Sequence, residues 1–128
     1  MPRLRLSALA ELDIEDILFR SERSFGEAAR LRYEALIETA LRDVAADPHR
    51  IGVKARNELG RSLLTYHLFN SRNAARTSLG IVRRPRHILV FRLTVADFVD
   101  IGRVLHDAMD LREHLPDDLF SSLEEPDS

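Results

Sequence analysis

The sequence predicts an α+β fold in which an N-terminal helical hairpin packs on one face of a small antiparallel β-sheet. Two long segments in the first half carry apolar residues at helical spacing, and later segments carry the alternating or continuous apolar pattern of strands. The two helices must bury their apolar stripes, and only the later strands offer a matching surface. The predicted element order is therefore β-α-α-β-β-β-α.

The first half of the chain predicts one short strand followed by two helices. Residues 3–6 alternate between arginine and leucine, which is the period of a half-buried strand. Ser7 is a favourable N-cap for the helix that follows, and residues 24–26 (Ser-Phe-Gly) predict the break between the helices. The second helix is predicted over about residues 27–46, and the dipeptide Asp47-Pro48 ends it.

The second half predicts three strands and a short final helix. A strand period begins at residue 62 and runs to 69, residues 87–93 form the most apolar strand, and residues 98–106 form the last one. The polar, arginine-rich segment 70–85 between the first two strands predicts a long hairpin connection. Residues 107–114 predict a short helix.

Charge is distributed unevenly along the chain. Residues 61–115 contain nine arginines and five acidic residues, whereas residues 116–128 contain five acidic residues and no basic one. We therefore predict a single folded domain over residues 1–115 and an acidic, disordered tail over residues 116–128. A basic region is able to meet nucleic acid or an acidic partner, although scattered arginines are more often a solvated face.

The composition excludes several classes of protein. The 128 residues suffice for one hydrophobic core, and the absence of cysteine excludes a disulfide scaffold and fits a reducing compartment. No apolar run approaches the roughly 18 residues that span a bilayer, and residues 1–6 lack the apolar region of a signal peptide. We therefore expect a cytoplasmic protein without a membrane partner.

Four short motifs resemble the RelE/ParE family of bacterial toxins, and its ParE branch most closely. Residues 6–17 resemble the family's opening strand and first helix, and residues 46–52 resemble its Asn-Pro…Gly exit from the second helix. Residues 86–92 (Arg-His-Ile-Leu-Val-Phe-Arg) resemble its Arg-His-Val-Ile-Phe-Tyr-Arg strand, and residues 103–110 resemble its Arg-Val-Leu-His…Asp ending. The likeness covers about residues 3–115, and its motifs occur in the family's order.

This resemblance implies a RelE/ParE-like fold and the toxin of a type II toxin–antitoxin pair. ParE-like members poison DNA gyrase by protein–protein contact, and a ParD-like antitoxin neutralises them. The expectation is therefore a gyrase-poisoning toxin with no catalytic activity of its own, no cofactor, no metal site and no direct sequence-specific binding to nucleic acid. The segment 70–84 departs from the family's usual tight turn, and it is either a partner-specific contact or a tolerated insertion.

Two alternatives stay open: a RelE-like ribosome-dependent mRNA endoribonuclease, and a non-toxic binding module on the same fold. Metal-free RNA cleavage needs a base, a proton donor and cations. The only lysine is Lys54, the only tyrosines are Tyr33 and Tyr66, and Phe91 stands where the family strand often has an aromatic hydroxyl. An isoelectric point near 6.2 also suits binding to ribosomal RNA poorly. The endoribonuclease therefore ranks second.

Two groups of residues are candidates for binding sites. Some apolar residues of the helical hairpin lie outside the helix faces that are predicted to pack in the core. They are candidates for antitoxin binding, and ordinary burial in the core is the alternative. Basic residues near the last strands are candidates for contact with the target or an anion, with local ion pairs to Asp97, Asp100 or the tail as the alternative. The antitoxin candidates are Phe19, Phe25 and Leu31, and the target or anion candidates are Arg84, Arg86, Arg92, Arg103 and His106.

The histidines suggest two further arrangements. His106 and Asp110 have the spacing of an acid–base or metal pair on a helix, although such pairs are more often structural. His67 and His87 lie on adjacent predicted strands, but no third ligand is evident, so we predict no zinc site.

Overall fold

The computed structural model describes residues 3–123, and it confirms the α+β class: two helices pack against a five-stranded sheet. The helices and strands are β1 (Arg3–Leu6), α1 (Ala8–Phe25), α2 (Glu27–Ala46), β2 (Lys54–Ala55), β3 (Leu64–His67), β4 (His87–Leu93) and β5 (Phe98–His106). Short 3₁₀ helices occupy Asn57–Leu59, Leu68–Ser71, Leu111–His114 and Ser121–Leu123.

The sheet is mixed, whereas the sequence predicted an antiparallel one. Its strand order is β1-β5-β4-β3-β2, and β1 runs parallel to β5 while every other neighbouring pair is antiparallel. The alternating arginine and leucine residues at positions 3–6 indicate a strand, but they do not indicate the direction of that strand in the sheet. That direction depends on the whole path of the chain, because β5 reaches the edge beside β1 only after the antiparallel strands β3 and β4.

Most predicted boundaries agree with the structure, because strong local signals set them. The Ser7 hydroxyl accepts a hydrogen bond from the Ala10 N–H at 3.0 Å, and Gly26, with φ of +94°, makes the break between α1 and α2. The predicted final helix is shorter than expected. Asp110 caps a single 3₁₀ turn by accepting from the Arg112 N–H at 3.1 Å, so the chain is helical only over Leu111–His114.

The main core lies between the helical hairpin and one face of the sheet. Apolar residues of α2 meet those of the three central strands there, which is the burial that the helical spacing predicted. Its fully buried large side chains include Leu36 and Val44 of α2, Tyr66 of β3, Leu89 and Phe91 of β4, and Val99 and Ile101 of β5.

A second apolar cluster covers the opposite face of the sheet, since Val90 belongs to it while its neighbours in β4 belong to the main core. We call residues 116–123 the tail segment. Its Leu119 and Phe120 are only 3% and 5% exposed, and they pack with Leu63, Val90 and Leu105. The prediction of disorder from residue 116 is therefore wrong for the tail segment, because two apolar residues among the acidic ones suffice to dock it. Residues 124–128 lie outside the described residues.

Within residues 3–123, no helix is both long enough and apolar enough to cross a membrane.

Candidate functional site

A groove of about 1180 Å³ opens between the helical hairpin, the β3–β4 connection and the ends of β4 and β5. We call it the arginine groove. The hairpin contributes apolar and aromatic side chains, the connection contributes arginines, and the strand ends contribute histidines. Its lining includes Ile17, Phe25, Arg32, Tyr33, Arg76, Leu79, Val82, Arg83, Arg84, Arg86, His87, Arg103, His106 and Met109.

The β3–β4 connection forms one wall of this groove and is held in place. Thr77 and Gly80 pair across a tight turn in which Gly80 has φ of +102°, a conformation that favours glycine. From α2, Arg32 donates a hydrogen bond to the Leu79 carbonyl at 3.3 Å. The long connection is thus an ordered wall with its own turn and a tether to the helical hairpin.

Tyr33 and His87 form the inner part of the groove. The Tyr33 hydroxyl accepts from the Arg86 N–H at 3.2 Å and lies 2.6 Å from Nδ1 of His87. One of these two groups therefore donates its proton to the other, and the contact fixes the orientation of the imidazole ring. Burial, and secondarily the nearby His106, lowers the pKa of His87 to about 4. Burial also raises the pKa of Tyr33 to about 12.

The two neighbouring histidines are fixed in the same way. Nδ1 of His106 accepts from the Ala108 N–H at 3.1 Å, and Nδ1 of His67 accepts from the Phe69 N–H at 3.0 Å. In their neutral forms both rings therefore carry the proton on Nε2. His106 stacks edge-on against His87, with ring centroids 5.4 Å apart.

Asp107 joins this cluster to the arginines. Its carboxylate accepts from Nε2 of His67 at 3.0 Å and from two nitrogens of Arg86 at 3.0 and 2.9 Å. The hydrogen bonds from Arg86, the largest influence, lower the pKa of Asp107 to about 2. Because a backbone N–H already occupies Nδ1 of His67 and of His106, these two neutral rings offer Nε2–H donors rather than a free base. The cluster is suited to binding acceptors more than to abstracting protons.

The groove keeps a surplus of positive charge. Arg86 pairs with Asp107, and Arg103 pairs with Asp13 at 2.7 Å. By contrast, no carboxylate within the described part of the chain lies within ion-pair distance of three other arginines of the groove. These are Arg76, Arg83 and Arg84, all on the β3–β4 connection and all exposed.

The structure brings several predicted site residues together. Arg84, Arg86, Arg103 and His106 all line the arginine groove. Arg92 lies elsewhere, since it pairs with the buried Asp100 at 3.1 Å and stacks on the ring of Phe120.

The three antitoxin candidates are also divided. Phe25 lines the groove and is 80% exposed, whereas Phe19 is 59% exposed on α1 but does not line it. Leu31 is partly exposed on α2, likewise outside the groove lining.

Asp110, the residue that the sequence paired with His106, has a structural role instead. Asp110 caps a 3₁₀ turn instead of facing His106, because residue 106 ends a strand and the two residues are not on one helix. Within residues 3–123, no three histidine or carboxylate side chains converge as metal ligands.

Sequence reasoning missed Tyr33 and Asp107 as members of the site. Tyr33 fits the apolar stripe of α2, so its spacing indicates ordinary core packing. Asp107 follows the last strand and looks like a helix cap. Only the tertiary contacts of Tyr33 with His87 and of Asp107 with Arg86 mark them.

Comparison with known protein families adds a separate observation. The family described as "ParE toxin of type II toxin-antitoxin system, parDE" matches residues 4–111 of the 128-residue chain. The chain belongs to the ParE toxin family. This ParE-family toxin is the toxin component of a type II toxin–antitoxin system, with an antitoxin as its partner. A search among individual curated proteins gives no match. The match to the family ends at residue 111, so the tail segment lies beyond it.

Proposed function

We propose that this ParE-family toxin poisons DNA gyrase by stoichiometric protein–protein contact in the cytoplasm, and that a ParD-like antitoxin neutralises it. The family match over residues 4–111 carries the proposal. The histidine cluster supports binding over turnover, because His67 and His106 each have Nδ1 occupied by a backbone N–H. The exposed Phe25, beside arginines that have no carboxylate partner among residues 3–123, supports a docking surface in the arginine groove.

Gyrase supercoiling in vitro tests this function. Purified toxin should inhibit supercoiling and accumulate cleaved DNA, and prior addition of the antitoxin encoded beside the toxin gene should prevent both. Full supercoiling activity at a large molar excess of correctly folded toxin would contradict the proposal.

A ribosome-dependent endoribonuclease is the second candidate, and one observation favours it. The His87 and His106 rings lie 5.4 Å apart in a groove that also holds Tyr33 and several arginines, the residue types of metal-free phosphodiester cleavage. Programmed ribosomes with a defined mRNA test it directly. Cleavage by the wild-type toxin that is lost in His106→Ala would favour this candidate over gyrase. Neither cleavage nor gyrase inhibition would leave a non-toxic binding module.

A further inference from the structure

We infer that the arginine groove binds a nucleoside di- or triphosphate, with the phosphates held by Arg76, Arg83 and Arg84 and the base stacked on Phe25. This inference goes beyond the proposed function, since it concerns a small-molecule ligand of the toxin itself. It also gives a role to the long connection 70–84.

The arginine groove has the size and the mixed lining of a small-molecule site. Its volume is about 1180 Å³, and such sites are clefts of roughly 300–1,000 Å³ in which apolar side chains surround a few polar groups. Apolar residues such as Ile17 and Val82 line the groove together with arginines and histidines. A ligand that combines a flat, largely apolar part with a strongly charged part fits this lining.

The charge for the phosphates comes from three arginines of the β3–β4 connection. Within residues 3–123, no carboxylate lies within ion-pair distance of Arg76, Arg83 or Arg84, and all three are exposed. Arg86 and Arg103, by contrast, already have carboxylate partners. Guanidinium groups bind phosphate oxygens through paired hydrogen bonds. Because a di- or triphosphate concentrates several negative charges on one short chain, it is able to meet three arginines at once.

The wall that presents these arginines has a defined position, because each arginine adjoins a residue that anchors the connection. These anchors are Ala75 and Pro85, which are buried, and Val82, which packs against the main core. Arg32 of α2 also donates a hydrogen bond to the Leu79 carbonyl at 3.3 Å. An anchored backbone has less conformational freedom to lose when a ligand binds, so more of the interaction free energy appears as affinity.

Phe25 supplies a surface for the base. Its ring is 80% exposed at the last residue of α1 and lines the groove, and bases of every kind stack on aromatic rings. His106 adds a hydrogen-bond donor to the same groove. Because its Nδ1 accepts from the Ala108 N–H, the neutral ring carries its proton on Nε2. The groove therefore presents a stacking surface, a donor and positive charge to one ligand.

The three arginines suit a short phosphate chain better than a long nucleic acid. Nucleic acids draw their affinity from many phosphate contacts, and this chain has a net charge of −2. The arginines without a carboxylate partner among residues 3–123 also lie on one wall of the groove, on a single connection. The ligand that follows from this arrangement is a nucleotide.

Calorimetric titration of the purified 128-residue toxin tests the inference, with ATP and GTP as the probes. We expect at least one of the two to bind at a one-to-one ratio with a Kd of roughly 100 μM or tighter. The matching nucleoside lacks the phosphates, and tripolyphosphate lacks the base. Each of these should bind at least about tenfold more weakly than the nucleotide.

A matched pair of double variants tests the arginines. Arg83→Glu/Arg84→Glu reverses two charges in the groove. Arg42→Glu/Arg112→Glu makes the same change at two exposed arginines that do not line it. We expect the first variant to bind the nucleotide at least about tenfold more weakly than wild type, and the second to stay within about threefold. Thermal melts check that both remain folded.

A second pair of variants tests the base. Phe25→Ala removes the stacking surface, whereas Phe19→Ala removes an exposed ring that does not line the groove. Phe25→Ala should weaken nucleotide binding by about fivefold or more, and it should leave tripolyphosphate binding unchanged because that ligand has no base. Phe19→Ala should bind both ligands as wild type does.

Three results would overturn the nucleotide site. The first is that neither ATP nor GTP binds at roughly 1 mM. The second is equal weakening by the two double variants, because general attraction between charges would then account for the binding. The third is a single-stranded RNA of about 20 nucleotides that binds at Arg83 and Arg84 more tightly than either nucleotide. Since none of these measurements uses gyrase or the antitoxin, the nucleotide site and the proposed function fail separately.

Discussion

At the scale of single residues, His87 shows how burial and one hydrogen bond define a side chain's chemical state. Its Nδ1 shares a hydrogen bond with the Tyr33 hydroxyl at 2.6 Å, and burial lowers its pKa to about 4. The folded protein therefore holds this histidine neutral at pH values where an unfolded chain would protonate it.

This difference predicts that mild acid destabilises the protein. Between about pH 6.5 and 4 the unfolded state binds a proton at His87 that the folded state does not, so stability falls as pH falls through that window. We expect a loss of about 2–3 kcal/mol in the free energy of unfolding from this residue. Urea denaturation at pH 7.5 and pH 4.5 measures the loss.

Two variants identify the group responsible. His87→Gln should flatten the pH dependence, while His49→Gln, at an exposed histidine, should retain it. Asp107 cannot produce the same signal, because its lowered pKa of about 2 places its own loss of stability below about pH 4. Equal pH slopes for wild type and His87→Gln would show that His87 is not buried as described.

At the scale of secondary-structure elements, Asp13 joins α1 to β5. Its carboxylate accepts from Nε and Nη2 of Arg103 at 2.8 and 2.7 Å and from the Val104 N–H at 2.9 Å. Both charged side chains are largely buried, so removing one leaves the other without compensation.

The prediction for this link uses a control on the same helix. Asp13→Ala should lower the free energy of unfolding by about 2–4 kcal/mol. Asp16→Ala removes the exposed pair with Arg20 and should cost less than about 1 kcal/mol. Chemical denaturation of both variants checks this, and similar losses would mean that the buried pair does not anchor α1.

The tail segment predicts a second effect at this scale. A Cβ at Gly102 would lie 2.7 Å from Cδ2 of Leu119 and 3.0 Å from Cε1 of Phe120, so Gly102→Ala should cost about 1–3 kcal/mol. Leu119→Ala removes the side-chain atoms closest to that Cβ. In a protein that already carries Leu119→Ala, Gly102→Ala should therefore lower the free energy of unfolding by at least about 1 kcal/mol less than it does in wild type. Strictly additive losses in this double-mutant cycle would show that the tail segment does not lie over Gly102.

The elements also show how far the sequence alone could predict this fold. The spacing of apolar residues and the helix-capping residues predict both helices, β4 and β5, because those signals are local. The parallel pairing of β1 depends on the path of the chain, and the docking of Leu119 and Phe120 depends on an apolar sheet face formed by distant residues. The sequence of β1 alone does not contain the first kind of information, and the sequence of the tail segment alone does not contain the second.

The same distinction applies to the candidate site. Arg84, Arg86, Arg103 and His106 were predicted from the last strands, and they meet in one groove because those strands and the connection are neighbours in space. The pairing of Arg92 with Asp100 and the role of Tyr33 required the register of β4 and β5 and the packing of α2. Local sequence does not contain that information.

At the scale of the whole molecule, the toxin combines an overall charge of −2 with a local surplus of arginine at one groove. Because a cluster of arginines on one surface steers an acidic partner at low ionic strength, we expect the association rate with the antitoxin to fall as salt rises. Stopped-flow measurements from about 50 to about 500 mM salt, a range over which the Debye length shortens to roughly a third, should show a weaker salt dependence for Arg83→Glu/Arg84→Glu than for wild type. Identical salt dependence in the two proteins would contradict a steering role for the groove.

We propose that the molecule acts by stoichiometric binding and not by turnover. Titration of the toxin into a fixed concentration of gyrase, with supercoiling measured at short and long incubation, tests it most directly. We expect inhibition to saturate near a one-to-one ratio of binding sites and not to deepen with time. Inhibition that grows with time at toxin concentrations far below that of gyrase, or no inhibition at any ratio, would contradict it.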